Sequence, residues 1–288
     1  LEKEYEETLA KIAEYEDILG SRRAMVKVIK KDLDNIKKEY ALLRRTVIED
    51  GKEAVFEEQK MVEQEVVFLM DRFGYAKTID TATYERNKDA AHAENKYVFS
   101  CMNTDKICIF TDNGNLHQIK VKDIPFVKFR DKGTPIDNLG NYSSAGEEII
   151  FLCCNSLLAG RKLLFTTKKA MMKLVDGSEF DVSKRTVAAT KLMDGDTIAS
   201  IEVVSAVNTQ SVVIQTENGY FLKFMLEEVP EKKKSAIGVR GMKVDEKDNV
   251  DEVYLMPEDA DVSIQYKDKE ISLKKLKLSK RDSKGQKK

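Results

Sequence analysis

The first 45 residues carry apolar side chains at the spacing of amphipathic helices. Apolar residues recur there every three or four positions, as at Tyr5, Leu9 and Ile12, with Glu and Lys between them. Gly20 can end a first helix, and Ser21 can begin a second by accepting a hydrogen bond from an amide of its first turn. The pattern therefore predicts a helical hairpin, or the end of a coiled coil, without chemistry of its own.

After Thr46 the apolar period changes to two, which is the period of β-strands. Short runs rich in β-branched and aromatic residues, such as 107–110 and 211–215, alternate with polar turns. Asn113-Gly114 and Asn218-Gly219 are strong hairpin turns, because Asn and Gly accept the positive φ that a tight turn requires. Five segments share the order strand, polar turn, strand: 67–77, 108–118, 163–173, 213–223 and 263–273.

These five segments repeat at intervals typical of a propeller. Their turns lie at positions 74, 114, 169, 219 and 269, which are 40 to 55 residues apart. An all-β chain with this period is typical of blades of about four strands each. We therefore predict a mainly β fold, a propeller-like disc of five blades, or six if residues 97–110 add one. The predicted domains are helices over 1–48, a linker over 49–65 and the β domain with its basic tail over 66–288.

Positive and negative charges nearly cancel over the whole chain but not along it. With 49 Lys and Arg against 50 Asp and Glu, the net charge is −1, which excludes a uniformly basic nucleic-acid binder. Residues 245–261 hold eight acids and one base, whereas 269–288 hold nine bases and two acids. Basic segments also lie some ten to twenty residues after each hairpin. If the repeats place them equivalently, they line one rim and form a track for a phosphate backbone.

The sequence shows no catalytic or metal-binding motif. It contains no P-loop, G-x-S-x-G or H-E-x-x-H, and neither of its two histidines, His92 and His117, has an evident nucleophile partner. The four cysteines form no C-x-x-C pair, so we expect scattered buried thiols in a reducing cytoplasm and no metal site. No apolar run reaches the roughly 18 residues of a membrane helix, and the acidic start is unlike a signal peptide. We therefore expect a cytoplasmic protein without a membrane partner.

Several motifs resemble those of the A subunit of bacterial type IIA topoisomerases, which is the subunit that cleaves DNA. Arg44-Arg45-Thr46, followed by the strand that ends at 73–77, resembles the junction between coiled coil and C-terminal domain in that family. Segments 120–125, 132–136 and 238–243 resemble its recurring blade motifs. The resemblance implies a β-pinwheel, a propeller-like disc whose blades exchange strands with their neighbours and which binds DNA along its outer edge.

One motif departs from the gyrase pattern within this family. Gyrase A subunits carry a box of the form Gln-Arg-Arg-Gly-Gly-Lys-Gly after a pair like Tyr84-Glu85, whereas residues 86–91 here retain two cations and no glycine. Segment 280–285 resembles part of the box but lies in the last repeat. The departure favours a topoisomerase IV A subunit, and the alternative is a gyrase-like homologue with a degenerate box. The family's catalytic tyrosine would lie upstream of Leu1, so we expect a non-catalytic C-terminal fragment.

The resemblance also implies partners. They are double-stranded DNA, an ATPase B-type subunit and a second A-type subunit, with ATP and Mg²⁺ needed by the full enzyme and no cofactor bound by this fragment. The competing hypotheses are a protein-interaction propeller, whose basic loops recruit an acidic partner, and a propeller enzyme, for which the sequence offers no ligand set. The expected DNA-binding residues are Lys77, Arg86, Lys88, Lys128, Arg130, Lys132, Lys184, Arg185, Lys223, Lys232, Lys233, Lys234, Arg240, Lys280, Arg281 and Lys284.

Overall fold

The computed structural model describes residues 1–42, 46, 62–204, 210–257 and 260–288. The chain divides into two compact units, a helical unit, Leu1–Lys60, and a β unit, Met61–Lys288. No helix in the described ranges is both long and apolar enough to cross a membrane. The predicted domain bounds stay a prediction, because Arg44, Arg45 and most of the linker 49–65 lie outside the described residues.

The helical unit contains the two predicted helices, α1 (Glu2–Gly20) and α2 (Arg22–Tyr40). Helix α1 ends at Gly20, and Ser21 Oγ accepts a hydrogen bond of 3.4 Å from the amide of Ala24. The prediction of a Ser21 cap is therefore confirmed, because this bond satisfies one of the free amides in the first turn of α2.

The β unit consists of short strands joined by turns and a few short helices. The helices are α3 (Thr81–Arg86), α4 (Lys88–Glu94) and α5 (Asn155–Leu158). The strands are β1 (Glu65–Asp71), β2 (Tyr75–Asp80), β3 (Asn95–Met102), β4 (Lys106–Thr111), β5 (Asn115–Lys120), β6 (Thr134–Pro135), β7 (Ile149–Cys154), β8 (Lys162–Thr167), β9 (Met171–Asp176), β10 (Thr186–Ala188), β11 (Ile198–Val204), β12 (Gln210–Thr216), β13 (Tyr220–Met225), β14 (Val239–Arg240), β15 (Val250–Pro257), β16 (Ser263–Tyr266), β17 (Lys269–Ser272) and β18 (Gln286–Lys287).

These strands form four antiparallel sheets of four strands and one two-stranded sheet in the described part of the chain. The strand orders are β3-β1-β2-β6, β10-β5-β4-β7, β11-β8-β9-β14 and β15-β12-β13-β18, and the last sheet is the hairpin β16-β17. The five hairpins β1-β2, β4-β5, β8-β9, β12-β13 and β16-β17 are the five segments that the sequence period predicts. The mainly β, propeller-like fold is therefore confirmed.

Each four-stranded sheet receives one strand from the repeat that follows it. Strand β6 follows the second hairpin in the chain but pairs with β2 of the first, and β10, β14 and β18 return in the same way to β5, β9 and β13. We call these four the exchange strands. Residues 97–110 supply β3 and β4 to the first two sheets and add no sheet of their own. The fifth hairpin pairs only with itself among the described residues, so the five expected blades appear as four complete sheets and one hairpin.

The strands of the first four hairpins are largely buried on both faces, because each four-stranded sheet lies between two apolar clusters. On β4, Ile109 packs in one cluster with Phe68 of β1, whereas the next residue, Phe110, packs in another with Phe165 of β8. The phenylalanine pair Phe110–Phe165 has a centroid distance of 6.2 Å with an edge-on geometry. Burial on both faces explains why 107–110 is apolar at nearly every position instead of alternating.

All four cysteines are buried free thiols, as the sequence predicts, but they are grouped and not scattered. Cys153 and Cys154 are neighbours on β7 and belong to different apolar clusters. Cys154 shares its cluster with Cys101, and Cys153 lies directly opposite Cys108 of β4. Burial is the largest cause that raises the pKa of Cys108 to about 12. The thiols gather because strand pairing joins positions that are far apart in the sequence.

Candidate nucleic-acid interface

Three segments of eight residues, 126–133, 231–238 and 278–285, occupy equivalent places in the second, fourth and fifth repeats. Each begins at a residue that forms a parallel β-bridge with the second hairpin strand of the preceding repeat. Each ends on a glycine with φ of +81°, +106° or +83°, directly before an exchange strand. We call these segments the basic connections. In the third repeat the shorter pair Lys184-Arg185 directly precedes the exchange strand β10.

The terminal glycines let each basic connection reach the neighbouring sheet. A Cβ on Gly133 would lie 2.5 Å from the carbonyl oxygen of Ala76, and one on Gly238 would lie 2.4 Å from that of Met172. Only glycine fits such a close backbone approach at positive φ. The glycines therefore fix where the basic connections meet the sheets, which places their cations at matching positions.

Six of the predicted DNA-binding side chains are exposed and have no ion pair, side-chain hydrogen bond or aromatic-ring contact within the described ranges. Their charges are therefore available to an anionic ligand. Lys88 and Lys132 are also exposed and without an ion pair in the described part of the chain, and their ammonium groups lie 6.0 Å and 4.0 Å from the ring centres of Tyr84 and Tyr75. The six are Lys128, Arg130, Lys184, Arg185, Lys232 and Lys280.

Other predicted cations of the fourth and fifth repeats are paired with acids. Arg240 donates from Nε and Nη2 to the two carboxylate oxygens of Asp282, at 2.5 and 3.2 Å. This fork lowers the pKa of Asp282, mainly through the hydrogen bonds. Lys284 lies 3.2 Å from Asp245, so the acidic stretch 245–261 is not separate from the basic tail. These pairs leave less net positive charge in the last two repeats.

Three more of these cations bind groups of the protein itself. Lys233 Nζ lies 3.6 Å from a carboxylate oxygen of Glu179, and Lys234 Nζ donates to the Glu179 carbonyl at 2.7 Å. Arg281 donates from Nε to the carbonyl of Glu228 at 2.9 Å and from Nη1 to that of Arg240. The charges of Lys233, Lys234 and Arg281 are therefore used partly to hold the basic connections in place.

Two predicted side chains lie beneath the surface. Lys77 on β2 is only 9% exposed, and its ammonium donates to the carbonyl oxygens of Phe129 and Asp131. Lys223 on β13 is half-buried and donates to the carbonyls of Leu273 and Lys274 at 3.3 and 3.2 Å. Both ammonium groups are thus occupied by backbone oxygens inside the fold.

The first repeat has helices where the second, fourth and fifth repeats have a basic connection. Arg86 ends α3 and donates to the carbonyl of Ala82 at 3.2 Å, and Lys88 begins α4. Asp80 caps α3 by accepting from the Thr83 amide at 2.7 Å, and the hydrogen bonds from Thr83 lower the pKa of Asp80. The segment that follows Tyr84-Glu85 is therefore helical, because it lacks the glycines of an extended loop.

Neither histidine lies in a catalytic arrangement. His92 is exposed on α4, and its Nε2 lies 3.0 Å from the Tyr84 hydroxyl. His117 is buried on β5, with Nε2 3.1 Å from Glu147 Oε1 and Nδ1 3.1 Å from Thr186 Oγ1. Thr186 is the first residue of β10, so its hydrogen bond with His117 links this exchange strand to β5. No group of three or more His, Cys, Asp or Glu in the described part of the chain could hold a metal ion.

Comparisons with known proteins agree with this architecture. The family described as DNA gyrase C-terminal domain, beta-propeller, matches residues 105–143, 161–205 and 210–253, which lie in the second, third and fourth repeats. The gyrase A protein of Lawsonia intracellularis is 28% identical over 273 residues, which is 91% of this chain and 33% of that protein. The chain thus spans about a third of the length of this curated relative.

Two solved structures have the same fold. A C-terminal domain of DNA topoisomerase IV aligns with a TM-score of 0.69 at 21% identity, covering 78% of this chain and 72% of that one. A DNA gyrase A C-terminal domain aligns with a TM-score of 0.53 at 20% identity, covering 77% of this chain and 76% of that one. The exchanged strands and these alignments define the class, a β-pinwheel protein. In sequence and fold the β unit is thus similar to the C-terminal domains of the A subunits of DNA gyrase and topoisomerase IV.

Proposed function

We propose that the β unit binds and bends duplex DNA without sequence preference along the basic connections. The observation that carries the proposal is the set of six exposed cations, unpaired among the described residues, at or beside equivalent places of successive repeats. Lys and Arg side chains neutralise phosphates and release counterions, which supplies affinity without base readout. Bending a few tens of base pairs costs about 1–6 kcal/mol, so cations of several repeats must act together.

The proposed role in the whole enzyme is to present the bound duplex for ATP-dependent strand passage. The enzyme would be a cytoplasmic type IIA topoisomerase built from two A-type subunits and ATPase B-type subunits, with ATP and Mg²⁺ acting outside this chain. The β unit contributes binding and bending, and the cleaving tyrosine belongs to another part of the A-type subunit. The resemblance of the chain to gyrase A and topoisomerase IV supports this role.

A salt titration of DNA binding tests the proposed function. The full chain should bind a random-sequence duplex with a slope of log K against log salt near −5, because about six phosphate contacts contribute about −0.9 each. Fluorescence anisotropy between 50 and 200 mM salt measures this slope, and a second duplex of unrelated sequence is the control. A slope near zero would remove the electrostatic mechanism. Strong preference for one duplex would remove non-specific binding, and binding only to an acidic protein partner would favour the interaction propeller.

We further propose that the parent enzyme relaxes and decatenates DNA in the manner of topoisomerase IV. The supporting observation is that residues 86–91 contain no glycine and lie across α3 and α4, where gyrase carries its Gly-rich box. Such a box brings its charges close to the phosphates because glycine permits close backbone approach. The helices hold Arg86 and Lys88 on a more rigid backbone.

An activity assay separates the two members of the family. The full A-type subunit, reconstituted with its ATPase partner, should decatenate linked circles and relax supercoiled plasmid but introduce little negative supercoiling. Gel analysis of topoisomers with and without ATP measures all three reactions. ATP-dependent negative supercoiling of relaxed plasmid would overturn the assignment in favour of a gyrase with a degenerate box.

A further inference from the structure

Lys173 on β9 is a buried cation in the middle of an apolar sheet. Its side chain is 1% exposed, and its ammonium donates to three carbonyl oxygens, those of Lys233, Lys234 and Ala236, at 3.2, 2.8 and 2.6 Å. All three carbonyls belong to the basic connection 231–238. The ammonium is thus fully used by the backbone of a segment whose own lysines point elsewhere.

Lys77 on β2 makes the same contacts with the basic connection of the second repeat, 126–133. Both lysines lie three residues after the left-handed residue of their hairpin turn, Gly74 or Ala170. Lys77 binds the carbonyls of the fourth and sixth residues of the connection 126–133, and Lys173 binds those of the fourth and sixth residues of 231–238. The same contacts at the same positions in two repeats indicate a built feature of the connections.

The chemistry of an ammonium explains why lysine suits this position. Three N–H donors on one flexible side chain can bind several carbonyls at once, and no neutral aliphatic side chain can do so. Drawing alternate carbonyls inward fixes the peptide planes of the connection, so its side chains keep one orientation toward solvent. Burial lowers the pKa of Lys173 to about 8, and nearby Glu179 opposes this shift.

The basic connection of the fifth repeat, 278–285, has no such lysine beneath it. Leu222 stands at the position of Lys77 and Lys173, and the connection 278–285 is held from outside by the Arg281 side chain. The Nε and Nη1 groups of Arg281 thereby donate to the carbonyls of Glu228 and Arg240. In the two connections that a buried lysine holds, Lys128, Arg130 and Lys232 are unpaired at the described surface, whereas Lys233 and Lys234 bind Glu179.

We propose that Lys77 and Lys173 are positioning residues of the DNA interface: they hold the basic connections in the DNA-binding conformation through their carbonyls and never contact DNA. The proposal rests on the proposed function. It assigns to Lys77 a role beneath the surface in place of the direct phosphate contact that the sequence predicts. It also assigns a role to Lys173, which the sequence pattern does not single out.

The test is the Lys173→Met variant of the full chain, with DNA affinity measured by anisotropy at 0.1 M salt. We expect at least fivefold weaker binding than wild type at pH 7. We also expect faster amide exchange in 232–238. The matched control is Lys162→Met, because Lys162 is exposed and paired with Glu231 at 2.7 Å, and it should change affinity less than twofold. Wild-type affinity in Lys173→Met would overturn the proposal.

A double-variant comparison distinguishes positioning from a general loss of structure. In a Lys232→Ala, Lys233→Ala, Lys234→Ala background, adding Lys173→Met should change affinity less than twofold, because the charges of the connection that Lys173 positions are already gone. An undiminished fivefold loss in that background would overturn the proposal. If the protein without any substitution showed no salt-dependent DNA binding, the proposed function itself would fail instead.

A pH profile supplies a second readout. Wild-type affinity should fall between pH 7 and 9 relative to Lys173→Met, because raising the pH through about 8 removes a proton from the Lys173 ammonium. The groups that face this ammonium are Glu179, the Phe165 ring and the connection itself, with Lys233 and Lys234. Parallel profiles of wild type and Lys173→Met would overturn the proposal. If Lys173→Met does not fold, Lys77→Met decides, and unchanged affinity in that variant would overturn the proposal.

Discussion

Replacing Lys128, Arg130 and Lys132 together by alanine should weaken duplex DNA binding of the full chain by about 10²-fold at 0.1 M salt. Removing three phosphate contacts lowers the slope of log K against log salt by about 2.7, and at 0.1 M salt this corresponds to two to three powers of ten. The three side chains are exposed, so we expect the thermal unfolding transition to stay unchanged. Anisotropy titrations and a thermal melt measure the two quantities.

The matched control removes three cations that are already paired. This control is the triple variant Lys233→Ala, Arg240→Ala, Lys284→Ala. Each lost charge has an acidic partner within 3.6 Å, namely Glu179, Asp282 or Asp245. Because each such pair is nearly neutral toward a phosphate, we expect less than a tenfold loss of affinity. Equal losses in the two triple variants would show that the number of charges matters and their pairing does not. An unchanged affinity in the first variant would move the DNA-binding surface to another repeat.

Changing Gly238 to alanine should destabilise the β unit by roughly 3 kcal/mol and lower its melting temperature by about 6–12 °C. The residue has φ of +106°, and its new Cβ would lie 2.4 Å from the carbonyl oxygen of Met172. The backbone must move to relieve this contact, which breaks the pairing of the exchange strand β14 with β9 at Val239 and Met172. Calorimetry or a circular dichroism melt measures the loss.

Gly146→Ala is the control for this change, because a Cβ at Gly146 meets no atom within 4 Å and the residue lacks a positive φ. We expect it to shift the melting temperature by less than about 2 °C. A Gly238→Ala variant that melts as the wild type does would show that the basic connection can move away from β9 without loss. DNA affinity of the same variant should fall as well, since the connection 231–238 carries Lys232.

The expected DNA-binding cations show how much of the candidate interface can be predicted from the sequence. Their types and their place after each hairpin are visible in the sequence, and six of them are exposed and, within the described ranges, unpaired as the hypothesis requires. The pairing of Arg240 with Asp282 joins residues 42 positions apart and cannot be seen from either neighbourhood. The sequence predicts a direct DNA contact for Lys77 and does not single out Lys173. One signal was available, because each lysine is the last residue of its hairpin segment, 67–77 or 163–173.

The local elements of this protein can be predicted from its sequence, because period, caps and turn residues act over a few neighbouring positions. The helices α1 and α2 and the five hairpins follow from such short-range preferences, as the Ser21 cap and the Asn218-Gly219 turn show. The exchange strands, in contrast, depend on tertiary packing. Strands of two or three residues, such as Val239–Arg240, are too short to carry a period, and their partners lie about 58 to 73 residues away in the chain. Burial of the neighbouring sheets and the close approach at the glycines select these pairings, and the same packing decides which lysines reach solvent and which are held inside.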